Sequence, residues 1–170
     1  QTVIEKPFPL YGMVYDENGQ GIAGVNILLG TDYQAESDYN GRFVVGGLIS
    51  GTYSLKALKK DMEPYTGEIS VSGKGDILYI KMISTTGLYT KFMEAFKNKN
   101  WENAEAYLNR ALAVEPTSPI ILYAKAAYLY APERTSRDWQ AAELILKDLM
   151  QQGILEPAIF LLLADIAQYD

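Results

Sequence analysis

Short segments in the first half of the chain alternate apolar and polar residues with a period of two. Such alternation is typical of β-strands that bury one face. The residues that it assigns to buried faces are Leu10, Gly12 and Val14; Val25, Ile27 and Leu29; Phe43 and Val45; Tyr53, Leu55 and Ala57; and Ile69 and Val71. In the last segment, DILYIKM, both faces are apolar. Alternation therefore leaves two candidate core faces there, one with Leu78, Ile80 and Met82 and the other with Ile77 and Tyr79.

Turn-forming residues separate these segments at short intervals. The turn signals are Asn18-Gly19, Asn40-Gly41, Gly46-Gly47, Ser50-Gly51 and Gly73-Lys74-Gly75. Glycine supplies the positive φ angles of tight turns, and asparagine tolerates them. The pattern predicts an all-β sandwich of about seven short strands, of the immunoglobulin or transthyretin kind.

The turn that begins at Asp38 illustrates the hydrogen bonding that we expect in these loops. The Asp38 carboxylate is placed to accept hydrogen bonds from the backbone of the Asn40-Gly41 turn, and Gly41 permits a positive φ there. Phe43 then starts the next strand with its ring in the core. We therefore expect the acidic residues in these loops to serve turn geometry and not to bind Ca²⁺, for which no EF-hand spacing is present.

The composition changes abruptly at Ser84-Thr85-Thr86-Gly87. Of the 14 glycines, 12 lie before residue 84, whereas alanine rises from 3 residues before that point to 14 after it. Turn-rich strands thus give way to helices. The sequence predicts two domains, a β-sandwich over residues 1–83 and an all-α unit over residues 84–170.

The second half contains an internal repeat. The segments NKNWENAEAYLNRAL and SRDWQAAELILKDLM align at a spacing of 38 residues, which pairs Trp101 with Trp139 and Pro119 with Pro157. The helices before the tryptophans align at a spacing of 34 residues instead, which places four extra residues in the loop APERTSR. Helix pairs of about 34 residues are typical of solenoids. We expect helix pairs over about 86–115 and 119–153 and a final helix over 157–170. Because fewer than three full repeats leave an uncovered end, we expect the sandwich, a protein partner or a second copy of the chain to cover it.

The composition limits the classes of function that the chain can have. The chain has no histidine and no cysteine, which removes most transition-metal sites and the common nucleophile pairs. The net charge is −6, and no basic cluster is larger than Lys59-Lys60, which argues against nucleic-acid binding. No apolar run is long enough to form a transmembrane helix. We therefore expect a protein that is not an enzyme and needs no cofactor or metal.

Two resemblances add to this interpretation. Gly12, Asn18-Gly19, Gly24-Val25, Asn40-Gly41-Arg42-Phe43 and Gly51-Thr52-Tyr53 resemble the carboxypeptidase regulatory-like domain, a transthyretin-related sandwich found as an accessory module on exported proteins. The second half resembles the tetratricopeptide repeat in its aromatic-x-x-alanine start and in Ala111, Leu112 and Pro116. It departs from that family at Phe92, where a small residue is usual, and at Leu149, which replaces an alanine.

The tetratricopeptide resemblance implies a binding surface. In that family the first helix of each pair lines a concave face that binds extended peptides. The corresponding residues here are Tyr89, Met93, Lys97, Tyr123, Ala127, Tyr130, Leu161 and Asp165. Tyrosines suit such a groove because they offer a large contact area at low entropic cost.

These observations predict a protein-binding scaffold of the bacterial cell envelope. The sandwich resemblance and the start at Gln1 favour a periplasmic or otherwise extracytoplasmic location, with a signal peptide removed before Gln1. The alternative is a carbohydrate- or surface-binding accessory module that uses the sandwich loops. Its candidate sugar-stacking residues are Tyr33, Tyr39 and Tyr65.

Overall fold

The structure is a computed structural model that describes residues 4–169. The chain forms two compact units, and the division falls between Ser84 and Thr85. The first unit contains only strands and the second only helices among its regular elements. Within the described residues, no helix combines the length and the apolar character needed to cross a membrane.

Seven strands form two sheets in the first unit, as the turn spacing predicts. The strands are β1 (Phe8–Tyr15), β2 (Asn26–Leu29), β3 (Tyr33–Glu36), β4 (Arg42–Leu48), β5 (Gly51–Leu58), β6 (Tyr65–Val71) and β7 (Ile77–Lys81). One sheet has the order β4-β1-β7 and the other β3-β2-β5-β6. All neighbouring strands run antiparallel except β1 and β7, which are parallel. The outer strands of the three-stranded sheet are therefore β4 and β7.

The core of this unit lies between the two sheets. Leu10 and Val14 from β1 and Ile27 and Leu29 from β2 are almost completely buried, as the alternation predicts. In β7 the buried face is that of Leu78 and Ile80, continued by Met82 just beyond the strand. Ile77 and Tyr79 point to the outside of the sheet and remain exposed.

The turn at Asp38 has the predicted geometry. One oxygen of the Asp38 carboxylate accepts hydrogen bonds from the backbone N–H groups of Asn40 and Arg42, both at 2.9 Å. Gly41 has φ +80°, in the left-handed region, and its carbonyl accepts a hydrogen bond from the Val14 N–H at 2.8 Å. The turn is thus fixed to β1 just before Phe43 enters the core on β4.

Five helices form the second unit. They are α1 (Thr85–Lys97), α2 (Trp101–Val114), α3 (Pro119–Tyr130), α4 (Trp139–Gln151) and α5 (Pro157–Ala167). Helices that follow each other in sequence pack together, and α3 also contacts α5. The final helix ends at Ala167, three residues before the predicted end, and Asp170 lies outside the described residues.

The residues that repeat in the sequence have equivalent structural roles. Asn100 and Asp138 both cap a helix, since their side-chain oxygens accept from the backbone N–H three residues later, at 3.2 and 2.9 Å. Pro119 and Pro157 occupy the first turns of α3 and α5, where a missing N–H costs nothing. The two halves of the repeat therefore start their helices with the same local chemistry.

Candidate functional site

An open cavity of about 570 Å³ lies in the helical unit, where α3 and α5 begin and α1 passes beside them. Its walls come from three helices and from the turn between α4 and α5. The lining residues are Tyr89, Pro119, Ile120, Tyr123, Ile154, Glu156, Ala158 and Ile159. We refer to these eight residues as the helical groove. Its volume is in the range of cavities that bind ligands, and most of its lining is apolar.

The local structure explains why these side chains converge. Ile120 and Tyr123 are three residues apart on α3 and so lie on one face of that helix. Gly153 takes φ +85° after α4, and the Ile154 N–H then donates to the Leu149 carbonyl at 3.1 Å. This glycine-based helix end turns the chain back, so that Ile154 faces the groove before α5 begins at Pro157.

The electrostatics of the groove centre on Tyr123. Partial burial of its ring raises the pKa of the Tyr123 hydroxyl above its usual value of 10.0, and the nearby Tyr89 and Asp165 raise it further. Glu156 is the one carboxylate among the described residues that line the groove. The Tyr123 hydroxyl is therefore neutral at physiological pH and available as a hydrogen-bond donor beside an apolar wall.

Some of the residues predicted from the repeat lie in this groove. Tyr89 and Tyr123 line it, and Asp165 is close enough to influence Tyr123. Met93 and Lys97 follow Tyr89 along α1 at intervals of one turn and are exposed, but they do not line the cavity.

The other predicted residues lie elsewhere. Ala127 is half-buried on α3 and Leu161 is exposed on α5, both outside the cavity lining. The structure differs from the expectation at Tyr130, which is buried in the helical core. Its ring contacts the Tyr169 ring, with a centroid distance of 5.8 Å, and the Arg137 guanidinium, 4.9 Å from the centroid. These partners occupy the space around the ring, so Tyr130 stabilises the fold and does not form a groove wall.

Sequence reasoning missed most of the apolar wall. Pro119, Ile120, Ile154, Ala158 and Ile159 were not among the candidates, because the repeat pattern points to the middle of the first helices. A signal was present, since Pro119 and Pro157 mark equivalent helix starts 38 residues apart. Helix starts in equivalent positions lie at the same end of a repeat array, which is where the groove is found.

The three candidate tyrosines of the sandwich differ in their exposure. Tyr33 and Tyr65 are half-buried and pack against the sandwich core. The Tyr33 ring meets the Tyr53 ring edge to face, at a centroid distance of 5.7 Å. Tyr39 alone of the three candidates is highly exposed, in the turn that follows Asp38.

The loop carboxylates are engaged by the backbone. Asp16 accepts hydrogen bonds from the N–H groups of Asn18 and Gln20 at 2.8 and 2.9 Å, in the same manner as Asp38. Across residues 4–169, no three acidic side chains come together as a group that could hold a metal ion. Turn formation thus accounts for the positions of both aspartates.

Residues 9–81 match the carboxypeptidase regulatory-like domain family. This match confirms the resemblance of the first half of the chain and covers the seven-stranded sandwich from β1 to β7. The helical unit lies outside the matched region. No curated protein sequence matches the chain.

Solved structures resemble part of the chain at low identity. One is a chain in a type II cohesin–X-dockerin complex from Acetivibrio cellulolyticus that carries a C-terminal interface mutation, with a TM-score of 0.41, 22% identity, and coverage of 46% of this chain and 58% of that chain. Another is the Bacillus anthracis TIE protein, with a TM-score of 0.40, 17% identity, and coverage of 46% of this chain and 16% of that chain. In both cases the chain spans less than two thirds of the length of the structure that it matches.

Proposed function

We propose that this chain is a non-enzymatic protein-binding scaffold of the bacterial cell envelope, and that it binds its partner through the helical groove. The observation that carries the proposal is the convergence of Tyr89 and Tyr123 with an aliphatic wall around an open cavity of about 570 Å³. Tyrosines next to aliphatic side chains are frequent in the energetically dominant centres of protein interfaces. The groove therefore fits apolar side chains of a protein segment.

The helical unit is, in this proposal, a tetratricopeptide-like repeat. The support comes from its repeated features, namely the paired cap residues Asn100 and Asp138 and the paired prolines that start α3 and α5. Ala104 and Ala142, which are equivalent in the repeat, are both fully buried and let neighbouring helices approach closely. In the same proposal, a second copy of the chain packs against one end of the helical array.

The proposed location is extracytoplasmic. It is supported by the match of residues 9–81 to the carboxypeptidase regulatory-like domain family, which occurs as an accessory module on exported proteins. The test is direct, because fractionation of cells that produce the native protein should recover it in the envelope fraction. Recovery in the cytoplasm would contradict this part of the proposal.

The binding function can be tested with a matched pair of substitutions. Ile120 and Leu144 are both exposed aliphatic residues on helices, 54% and 71% accessible, but Ile120 lines the groove and Leu144 does not. The full chain and its Ile120→Glu and Leu144→Glu variants would each serve as bait in a solubilised envelope extract. A protein retained by the wild type and by Leu144→Glu, but lost with Ile120→Glu, would support the groove as the binding surface. Equal retention by all three baits would contradict it.

The alternative function is carbohydrate or surface binding through the sandwich loops. One observation favours it, the high exposure of the Tyr39 ring at a turn tip. Retardation of the chain on polysaccharide affinity gels, abolished by Tyr39→Ser, would support this alternative. Unchanged mobility of the wild-type chain on such gels would remove it.

A further inference from the structure

The outer face of the three-stranded sheet is unusually apolar. Its central row joins Val44, Tyr11 and Ile77 across β4, β1 and β7, because Tyr11 is in register with both neighbours. The next row joins Arg42, Met13 and Tyr79 in the same way. The exposed fractions of Tyr11, Val44, Ile77 and Tyr79 are 56%, 50%, 59% and 61%. These four residues, with Met13, form one continuous patch, which we call the sheet patch.

The other sheet of the same sandwich provides an internal comparison. Antiparallel strands that face water on one side normally carry polar residues there. The outward residues of β5 and β6 follow this rule with the exception of Leu58, for the others are Thr52, Ser54, Lys56, Thr66, Glu68 and Ser70. The sheet patch departs from it within the same domain. Large contiguous apolar patches on soluble proteins mark interaction surfaces.

The charged residues at the outward positions of this sheet are all cationic. Arg42 lies in the second row, and Lys81 lies in the third, opposite Tyr15. No carboxylate occurs among the outward residues of β1, β4 and β7, although the chain as a whole has a net charge of −6. Among residues 4–169, neither Arg42 nor Lys81 forms a salt bridge. The patch therefore passes from an apolar end to a cationic end, and neither cation is held in a salt bridge within the described part of the chain.

We propose that the sheet patch is a second protein-docking surface, and that its partner is a protein segment in which apolar side chains lie next to carboxylates. The apolar rows contribute area, and the two cations set the orientation and the choice of partner, since complementary charge governs specificity and association rate. β7 is an outer strand of its sheet and carries both Ile77 and Tyr79. An extended segment can thus lie along β7 with its apolar side chains against these two residues.

Charge and chemistry favour this partner over two others. A second copy of the chain would bring two identical cationic faces together without a carboxylate between them, which is unfavourable. A polysaccharide would find tyrosine rings to stack on, but the outward residues of these three strands include no asparagine, glutamine, aspartate or glutamate to bind its hydroxyl groups. A protein segment with both apolar and acidic side chains can pack against the tyrosine rings and form ion pairs with the two cations.

The test uses random twelve-residue peptides displayed on phage and selected against the full chain. Peptides that also bind an Arg42→Glu/Lys81→Glu double variant are removed. The surviving sequences should be enriched in aspartate or glutamate next to apolar residues. Their dissociation constants, measured with synthetic peptides, should rise at least about tenfold for the double variant and for Tyr79→Ser, because one buried ion pair or aromatic contact corresponds to about that factor.

Two controls separate this proposal from the helical groove and from misfolding. Lys56→Glu reverses an exposed charge on the other sheet, and Ile120→Glu alters the groove, so neither should change peptide affinity. Unaltered circular dichroism of the Tyr79→Ser variant confirms that its fold is retained, as expected for an outward side chain. If the peptide selection fails, the groove proposal is unaffected, because binding through the groove is tested separately by envelope capture with Ile120→Glu.

Three results would overturn the proposal. The first is a selection that yields no peptide sensitive to the double variant, or only basic peptides. The second is a dimer in sedimentation experiments that Tyr79→Ser dissociates, which would assign the patch to a second copy. The third is binding to a polysaccharide that Tyr79→Ser abolishes, which would assign the patch to carbohydrate.

Discussion

The guanidinium of Arg134 lies over the ring of Tyr128, with its central carbon 3.9 Å from the ring centroid, and its Nη1 donates to the Tyr128 carbonyl at 2.9 Å. Arg137 repeats this relationship with Tyr130, since its Nε donates to the Tyr130 carbonyl at 3.0 Å. Two arginines of the loop between α3 and α4 thus satisfy carbonyls at the end of α3. This loop has eight residues, 131–138, whereas the loop between α1 and α2 has three, 98–100.

Replacing Arg134 by methionine should destabilise the helical unit by about 1–2 kcal/mol. The change removes a cation over an aromatic ring and a charged hydrogen bond but keeps most of the aliphatic length. Urea unfolding followed by circular dichroism at 222 nm measures the effect. Glu133→Gln, in the same loop, is the control, because its salt bridge to Lys99 at 3.4 Å is exposed and should contribute less than about 0.5 kcal/mol. Equal effects of the two changes would contradict the role of Arg134.

Gly41→Ala should be far more destabilising than Gly19→Ala. Both glycines have nearly the same positive φ, +80° and +79°, so the backbone penalty of about 1 kcal/mol is shared. At Gly19 an added Cβ meets nothing within 4 Å, whereas at Gly41 it would overlap the Val14 carbonyl oxygen and lie 2.8 Å from the Gly21 Cα. We expect Gly41→Ala to cost more than about 3 kcal/mol, measured by urea unfolding of the sandwich. A difference below about 1 kcal/mol between the variants would show that the turn relaxes freely.

The helix cap at Asp138 should contribute about 1 kcal/mol. Its carboxylate accepts the Ala141 N–H at the start of α4, and alanine would leave that donor without a partner in the helix. Asp138→Asn keeps an acceptor in place and should cost much less. The thermal midpoints of the two variants provide the comparison, and equal losses would argue against capping as the cause.

Stability of the helical unit should fall as the pH rises above about 10. Burial is the leading cause of the raised pKa values of Tyr123, Tyr128 and Tyr130, whose ordinary value is 10.0. Between that value and the raised folded pKa, the folded chain binds more protons than the unfolded chain, so stability is full below pH 10 and declines above it. Tyr130→Phe should show a smaller decline between pH 8 and pH 10.5 in urea midpoints. An identical decline in the variant would contradict a contribution from Tyr130.

The sequence predicts the sandwich well because its strands obey one simple rule. Val25, Ile27 and Leu29 alternate with more accessible residues, and all three are fully buried. The rule fails to choose a face for β7, because Ile77 and Tyr79 are apolar but point outward. That ambiguity has a physical cause, since a docking surface needs apolar residues where a solvated face would have polar ones.

The groove is harder to predict than the sandwich core. Tyr89 and Tyr123 could be found from their positions in the repeat, but Ile154 enters the groove only through the backbone turn at Gly153. Tyr130 has the same position in the pattern as a groove residue, yet Arg137 and Tyr169 enclose its ring. Loop residues and Tyr169 thus determine whether these side chains line the groove, and helical periodicity does not predict such contacts.

The most direct test of the account is site-specific photocrosslinking in the native envelope. A photoreactive phenylalanine derivative would replace Tyr123, which lines the groove, or Leu144, which is exposed outside it. The account predicts that position 123 crosslinks to a discrete protein, that Ile120→Glu abolishes the product, and that position 144 gives none. A product of equal yield from both positions, or from neither while the chain is folded and present, would contradict the helical groove as the protein-binding surface.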